Sequence, residues 1–207
     1  MSQQQPIQQF LDDLASSAST PGGGGAAALS GAMGAALVSM VCNLTIGKKK
    51  YAEVEPQMKE LLEQTEQLRS QLTALIADDV AAFNSVMDAY RLPKATDEEK
   101  SARTAAIQEA SKQATIIPLQ AAQACAKVIE LAKPAAKMGN SNVVSDVGAA
   151  VTAAQSGLKT SALNMLINLG TITDEAFVTE HRGKLDQIIE ASEPLAQEVY
   201  EFVKGKF

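Results

Sequence analysis

Between Asp13 and Lys48 the chain carries no charged side chain. Upstream, Ile7, Phe10, Leu11 and Leu14 recur at three-and-four spacing and predict a short amphipathic helix. A Ser/Thr/Pro/Gly loop over 16–25 follows, and then an Ala/Gly/Ser-rich stretch that predicts a buried helix from about 25 to 47. Gly47 is placed to stop it, and Lys48-Lys49-Lys50 suit the negative end of its dipole. Pro56 belongs in the first turn of the next helix, over about 56–91. Its stripe is Val54, Met58, Leu61, Leu68, Leu72, Leu75, Phe83, Val86 and Tyr90. Thr65 and Asp79 interrupt that stripe, whereas Asp78 lies off it.

Residues 91–95 read as a connector, and Thr96 with Glu99 has the spacing of a capping box. Helical pattern then runs to about Lys137, with Pro118 expected to start or kink a segment. The pattern breaks at 138–142. A second nearly uncharged Ala-rich helix, capped by Asn142 or Ser145, reaches about Gly170. Thr173 is placed to cap a final amphipathic helix. No strand alternation and no internal repeat emerges, so the expected fold is all-α: a single-domain bundle over 1–207, with Ala/Gly-rich core helices.

Composition narrows the picture. Apolar residues make up 46% of the 207 and aromatics only 4%, which suits closely approaching helices. A net charge of −6 argues against nucleic-acid binding. The stretch over 26–46 is long enough to nearly span a bilayer. Its Ala/Gly/Ser content, with small residues at Ala27, Gly31 and Ala35 and at Ser30 and Gly34, fits a buried helix better. Cys42 and Cys125 sit in apolar patterns and read as core hydrophobes in a reducing compartment. The expectation is a cytoplasmic, soluble protein. His181 is the one histidine, so no metal site is expected, and catalysis falls to carboxylates, lysine, tyrosine, hydroxyls or backbone amides.

Three polar clusters stand out. The run Ser19-Thr20-Pro21-Gly22-Gly23-Gly24-Gly25 offers free N–H groups at a helix start, where an anion or a planar ligand could lie. Lys48-Lys49-Lys50-Tyr51 offers cations. Gly139-Asn140-Ser141-Asn142-Val143-Val144-Ser145-Asp146 gathers amides, hydroxyls and a carboxylate at another helix entrance. Asp79 should face the interior, where an ionised carboxylate is costly unless paired. An interhelical salt bridge and a ligand-binding or catalytic carboxylate both account for it.

Together with Leu92-Pro93-Lys94-Ala95-Thr96, these blocks resemble the cyclodeaminase/cyclohydrolase family, the C-terminal domains of formiminotransferase-cyclodeaminases and their stand-alone bacterial relatives. The resemblance covers almost the whole chain. It implies a dimer-forming helical fold acting on one-carbon tetrahydrofolates, with no separate cofactor. The activity would be loss of ammonia from 5-formiminotetrahydrofolate to give the 5,10-methenyl compound. The alternative is opening of the 5,10-methenyl bridge by water to give 10-formyltetrahydrofolate. The cyclodeaminase label has the slight lead, and a non-catalytic helical scaffold or ligand-binding module is the reading from a different class.

Asp79 or Asp146 would be the acid/base group, the other holding the pterin's amino-pyrimidine edge, with Lys50 protonating the leaving nitrogen. Asn140, Asn142 and Ser145 would bind substrate. Ser19, Thr20, Gly22, Gly23 and Gly24 would hug its pterin or p-aminobenzoyl part, and Lys48, Lys49 and Lys94 its glutamate tail. A helix over 25–47 is about 33 Å long. Glycine loop and lysine cluster therefore cannot meet within one straight helix. A homodimer with antiparallel helices would bring them together.

Overall fold

The computed structural model describes residues 6–207, and all of the regular structure among them is helical. Six α-helices follow one another: α1 (Ile7–Ala15), α2 (Gly23–Asn43), α3 (Glu55–Arg91), α4 (Asp97–Met138), α5 (Val144–Leu169) and α6 (Glu175–Lys204). Short 3₁₀ turns at Lys49–Val54 and Ser141–Val143 lead into α3 and α5.

The small residues that left α2 without an amphipathic stripe allow it to sit at the centre. A Cβ added at Gly34 would lie 2.9 Å from the carbonyl oxygen of Ala150, and one at Gly157 would lie 2.8 Å from that of Ala27. Helices α2 and α5 thus meet backbone to backbone, as close as small residues permit. Gly31 plays the same part towards α3 and α4, where a Cβ would come 2.5 Å from Cys125 Sγ and 3.0 Å from Leu72. Helix α2 is the one helix among the described residues long and apolar enough to cross a bilayer, and 61% of that window is buried inside the bundle.

Helix α3 runs antiparallel to α2. The stripe is buried at Met58, Leu61, Leu72 and Leu75, and Thr65 is fully buried with its hydroxyl 2.9 Å from that of Ser39. Beyond Leu75 the stripe opens: Asp79 and Val86 are half-buried, and Phe83 and Tyr90 are exposed. The far ends of α3 and the near end of α4 project past α2, with Lys94 exposed in the connector at the tip.

Three boundaries differ from the sequence expectation. Helix α4 continues through Pro118 and Pro134 without a break, and the carbonyl that Pro118 cannot serve finds a donor elsewhere. Helix α5 begins at Val144 with Val143 at the cap position and no side-chain cap, because Ser145 already lies inside the helix and Asn142 within the preceding 3₁₀ turn. Asp174, not Thr173, caps α6 by accepting from the N–H of Phe177, while Thr173 is bonded to Gln108 on α4. The capping box at Thr96 and Glu99 forms as expected, and Gly47 adopts a φ of 77°, the left-handed conformation of a helix stop.

Candidate functional site

At the N-terminal end of α2, a cavity of about 320 Å³ opens between the glycine loop, α3 and α5. Its walls include Ser19, Thr20 and Gly22–Gly24 from the loop, Asp79, Phe83 and Val86 from α3, and Asn164, Ile167 and Asn168 from α5. The α3 residues arrive at three- and four-residue steps, one turn apart on the face where the stripe leaves the core.

Asp79 lies against the start of α2. A Cβ at Gly24 would fall 2.0 Å from Asp79 Oδ1, so glycine is what allows the carboxylate to sit there. No side chain of the preceding loop caps α2. The carboxylate therefore meets the positive end of that helix dipole. This revises the anion-cradle expectation: the acidic group occupying the helix start belongs to the protein, and a ligand entering here meets a carboxylate. Burial pushes the Asp79 carboxyl above the ordinary carboxylate range, and the Gly25 amide pulls it down in smaller measure. No salt bridge compensates it, which removes the ion-pair account of Asp79 among the described residues.

The other clusters assemble at the opposite end. The Tyr51 hydroxyl accepts the N–H of Ser141 at 3.0 Å and lies 3.4 Å from Asn140 Oδ1. Asn140 donates its Nδ2 to the carbonyl of Leu44 at 2.9 Å and its backbone N–H to Thr45 Oγ1 at 2.9 Å. The hydrogen bond from Ser141 holds the Tyr51 phenol below its ordinary value. Lys48, Lys49 and Lys50 are exposed, with Lys50 Nζ 5.2 Å from the centre of the Tyr51 ring.

Asp146 is half-buried in the first turn of α5, and Asn142 and Ser145 are exposed beside it. None of these lines the Asp79 cavity; Ser145 instead edges an apolar groove between α2, α5 and the end of α6 that also takes in Met33, Gly148 and Tyr200. Lys94, in the connector between α3 and α4, does not line the Asp79 cavity. The structure thus splits the expected site into a carboxylate-and-glycine half and a lysine-and-amide half, about 30 Å apart along α2.

Sequence reasoning missed Asn164 and Asn168. Their signal was an i, i+4 pair of amides on the outer half of an otherwise apolar helix, the spacing that puts two side chains on one face. The buried groups outside the cavity behave as core. Burial pushes the Cys42 thiol up to about 11 and that of Cys125 up to about 12. His181 is buried, with Nδ1 2.9 Å from the Phe177 carbonyl oxygen and its ring stacked 3.8 Å from the Phe177 ring.

An all-helical bundle around a glycine-contact seam, with a carboxylate-lined cavity at the start of its central helix, defines the class of protein. Comparison with known proteins narrows it. Residues 6–187 match the formiminotransferase-cyclodeaminase family, and the chain belongs to that family. It is 56% identical over 206 residues to the methenyltetrahydrofolate cyclohydrolase of Methylorubrum extorquens, covering 100% of this chain and 99% of that one. It is 32% identical over 201 residues to the formimidoyltransferase-cyclodeaminase of Sus scrofa, of which it spans 37%. The crystal structure of formiminotetrahydrofolate cyclodeaminase from Thermotoga maritima superposes with a TM-score of 0.88 at 31% identity, covering 98% of this chain and 97% of that one.

Proposed function

We propose that the protein is a one-carbon folate enzyme that opens 5,10-methenyltetrahydrofolate with water to give 10-formyltetrahydrofolate. The reading is carried by one observation, the half-buried carboxylate of Asp79, held by the Gly25 amide and by no salt bridge among the described residues, facing a cavity that no described lysine or arginine lines. The 56% identity over the full length of both chains to a protein named as a cyclohydrolase supports water addition over ammonia loss. The ammonia-losing reaction is the second reading, favoured by the name of the Thermotoga maritima structure.

The methenyl bridge is a cationic carbon between N5 and N10, and a carboxylate is the matching counter-charge. Water attacks that carbon and gives a proton to Asp79, forming a tetrahedral hydroxy intermediate. As the carbonyl forms and the hydroxyl proton leaves, the bond from carbon to N5 breaks and N5 takes up a proton. One proton is released overall. A raised carboxyl pKa brings Asp79 nearer to the operating pH, which favours such transfer.

The acid for N5 is Lys50 from a second copy of the chain. Antiparallel α2 helices in a homodimer would place the lysine-and-amide end of one copy at the Asp79 end of the other. Lys48 and Lys49 would then receive the glutamate tail. The exposure of Met33 (49%), Leu163 (68%) and Ile167 (75%) along the outer faces of α2 and α5 supports burial against another copy.

The direct test follows absorbance of the methenyl chromophore with 5,10-methenyl- and 5-formiminotetrahydrofolate supplied separately. Decay of the first above its spontaneous rate is expected. Growth of signal from the second alone would reassign the protein to ammonia loss, and silence with both would remove the folate reading.

A further inference from the structure

We infer that Asn164 and Asn168 on α5 form the subsite that reads the N–H edge of the reduced pterin, its ring N3–H and 2-amino group. This rests on the folate reading above and deepens it.

Pro118 has no N–H, so within α4 the carbonyl of Ala114, four residues earlier, lacks its helical donor. Asn168 supplies one, its Nδ2 lying 2.8 Å from that oxygen. A side-chain amide carries two donors on nitrogen and an acceptor on oxygen. With the NH₂ of Asn168 committed to α4, its Oδ1 is turned away from that helix. Asn164, one turn earlier, is tethered within its own helix by donating Nδ2 to the Thr160 carbonyl at 2.8 Å. Its amide closes on the glycine loop, where a Cβ at Gly23 would sit 3.1 Å from Nδ2 and 3.4 Å from Oδ1.

Both asparagines line the Asp79 cavity, and neither Oδ1 takes a hydrogen bond from a described residue. The wall that α5 contributes therefore keeps two acceptor oxygens, each on an amide tethered through one N–H of its NH₂ group. A ligand that fits it presents two donors side by side, as the N3–H and 2-amino group of a pterin do. Phe83 and Ile167 bring apolar surface to the same cavity, suited to the faces of a flat ring. With the ring edge held by amides, Asp79 is left for the reacting carbon, and Asp146 is not needed for the pterin.

The test compares binding of 5-formyltetrahydrofolate and its 2-desamino-2-methyl counterpart by titration calorimetry. The wild-type chain should prefer the 2-amino compound by about tenfold or more, since removing a donor strands a buried acceptor. Asn164→Ala and Asn168→Ser should each shrink that preference by roughly fivefold. Pro118→Ala, which returns an N–H to the Ala114 carbonyl and frees the Asn168 amide, should shrink it while leaving both asparagines present. Asn164 bonds only within its own helix, so its variant tests the idea even if Asn168→Ser unfolds. A wild-type preference below about twofold in a chain that turns over folate would overturn the subsite alone, as would full preference in all folded variants. No binding of either compound and no turnover would instead sink the folate reading, and the subsite with it.

Discussion

The two ends of α2 carry similar polar residue types and use them differently. At the Tyr51 end, hydroxyls and amides bond to one another: Tyr51 to Ser141, Asn140 to Thr45 and Leu44. At the Gly24 end, Asp79, Asn164 and Asn168 turn oxygen atoms towards a cavity without protein partners for all of them. A closed hydrogen-bond set fixes backbone and adds stability, whereas an open one costs stability and leaves chemistry to do. The cavity-lining carboxylate of Asp79 is at one end, and the exposed Lys48–Lys50 cluster is at the other. Residue type alone did not distinguish the two clusters; partner count does.

The sharpest way to break this contrast is Asp79→Asn. Turnover of the methenyl substrate should fall by about 10²–10⁴-fold while the helical circular-dichroism signal is retained. Its stability should move the other way. Burial raises the folded pKa of Asp79, so the ionised form costs the fold at neutral pH and the cost disappears once the group is protonated in both states. Asp79→Asn should therefore melt higher than wild type at pH 7, and the gap should close as pH falls through the folded pKa and vanish below the ordinary 3.8. Wild-type turnover should decline on acidification through the same folded pKa. Equal melting temperatures at pH 7 would count against a strained carboxylate.

Lys50→Gln should also be inactive if the ends of two copies share a site. Mixing it with Asp79→Asn under exchange conditions should then restore up to about a quarter of wild-type turnover, because half the dimers are hybrid and each has one intact site. No recovery would place the whole site in one copy.

A smaller effect is expected from Gly24→Ala. Its methyl group would displace Asp79, with a loss of roughly 1–3 kcal/mol in urea unfolding and lowered turnover. Smallest is Tyr51→Phe at the closed end, where losing the acceptor for Ser141 should cost about 1 kcal/mol in the same measurement. A Tyr51→Phe defect seen only in turnover would erase the distinction between the two ends.

Periodicity made the helices legible, and small-residue spacing made the close approach of α2 legible. Asp79 stood out because one carboxylate interrupted an apolar stripe. Asn164 and Asn168 were hidden because amides on an exposed-looking helix face carry no cost that a sequence reveals. The orientation of Asn168 depends on Pro118, 50 residues earlier, through a hydrogen bond that only tertiary packing creates. The same bond explains why α4 runs through a proline expected to start or kink a segment. Helix starts were less legible where a tertiary contact claimed the expected cap residue, as Gln108 on α4 did with Thr173.

The backbone contact of Gly34 with Ala150 and of Gly157 with Ala27 has a mechanical side. Two rods pressed together at bare main chain have little slack for sliding or buckling, and helices curve only with radii of about 60–100 Å. Such a spine cannot fold its tips onto each other. Whatever reaction needs both tips must be assembled from separate molecules rather than achieved by closure of one.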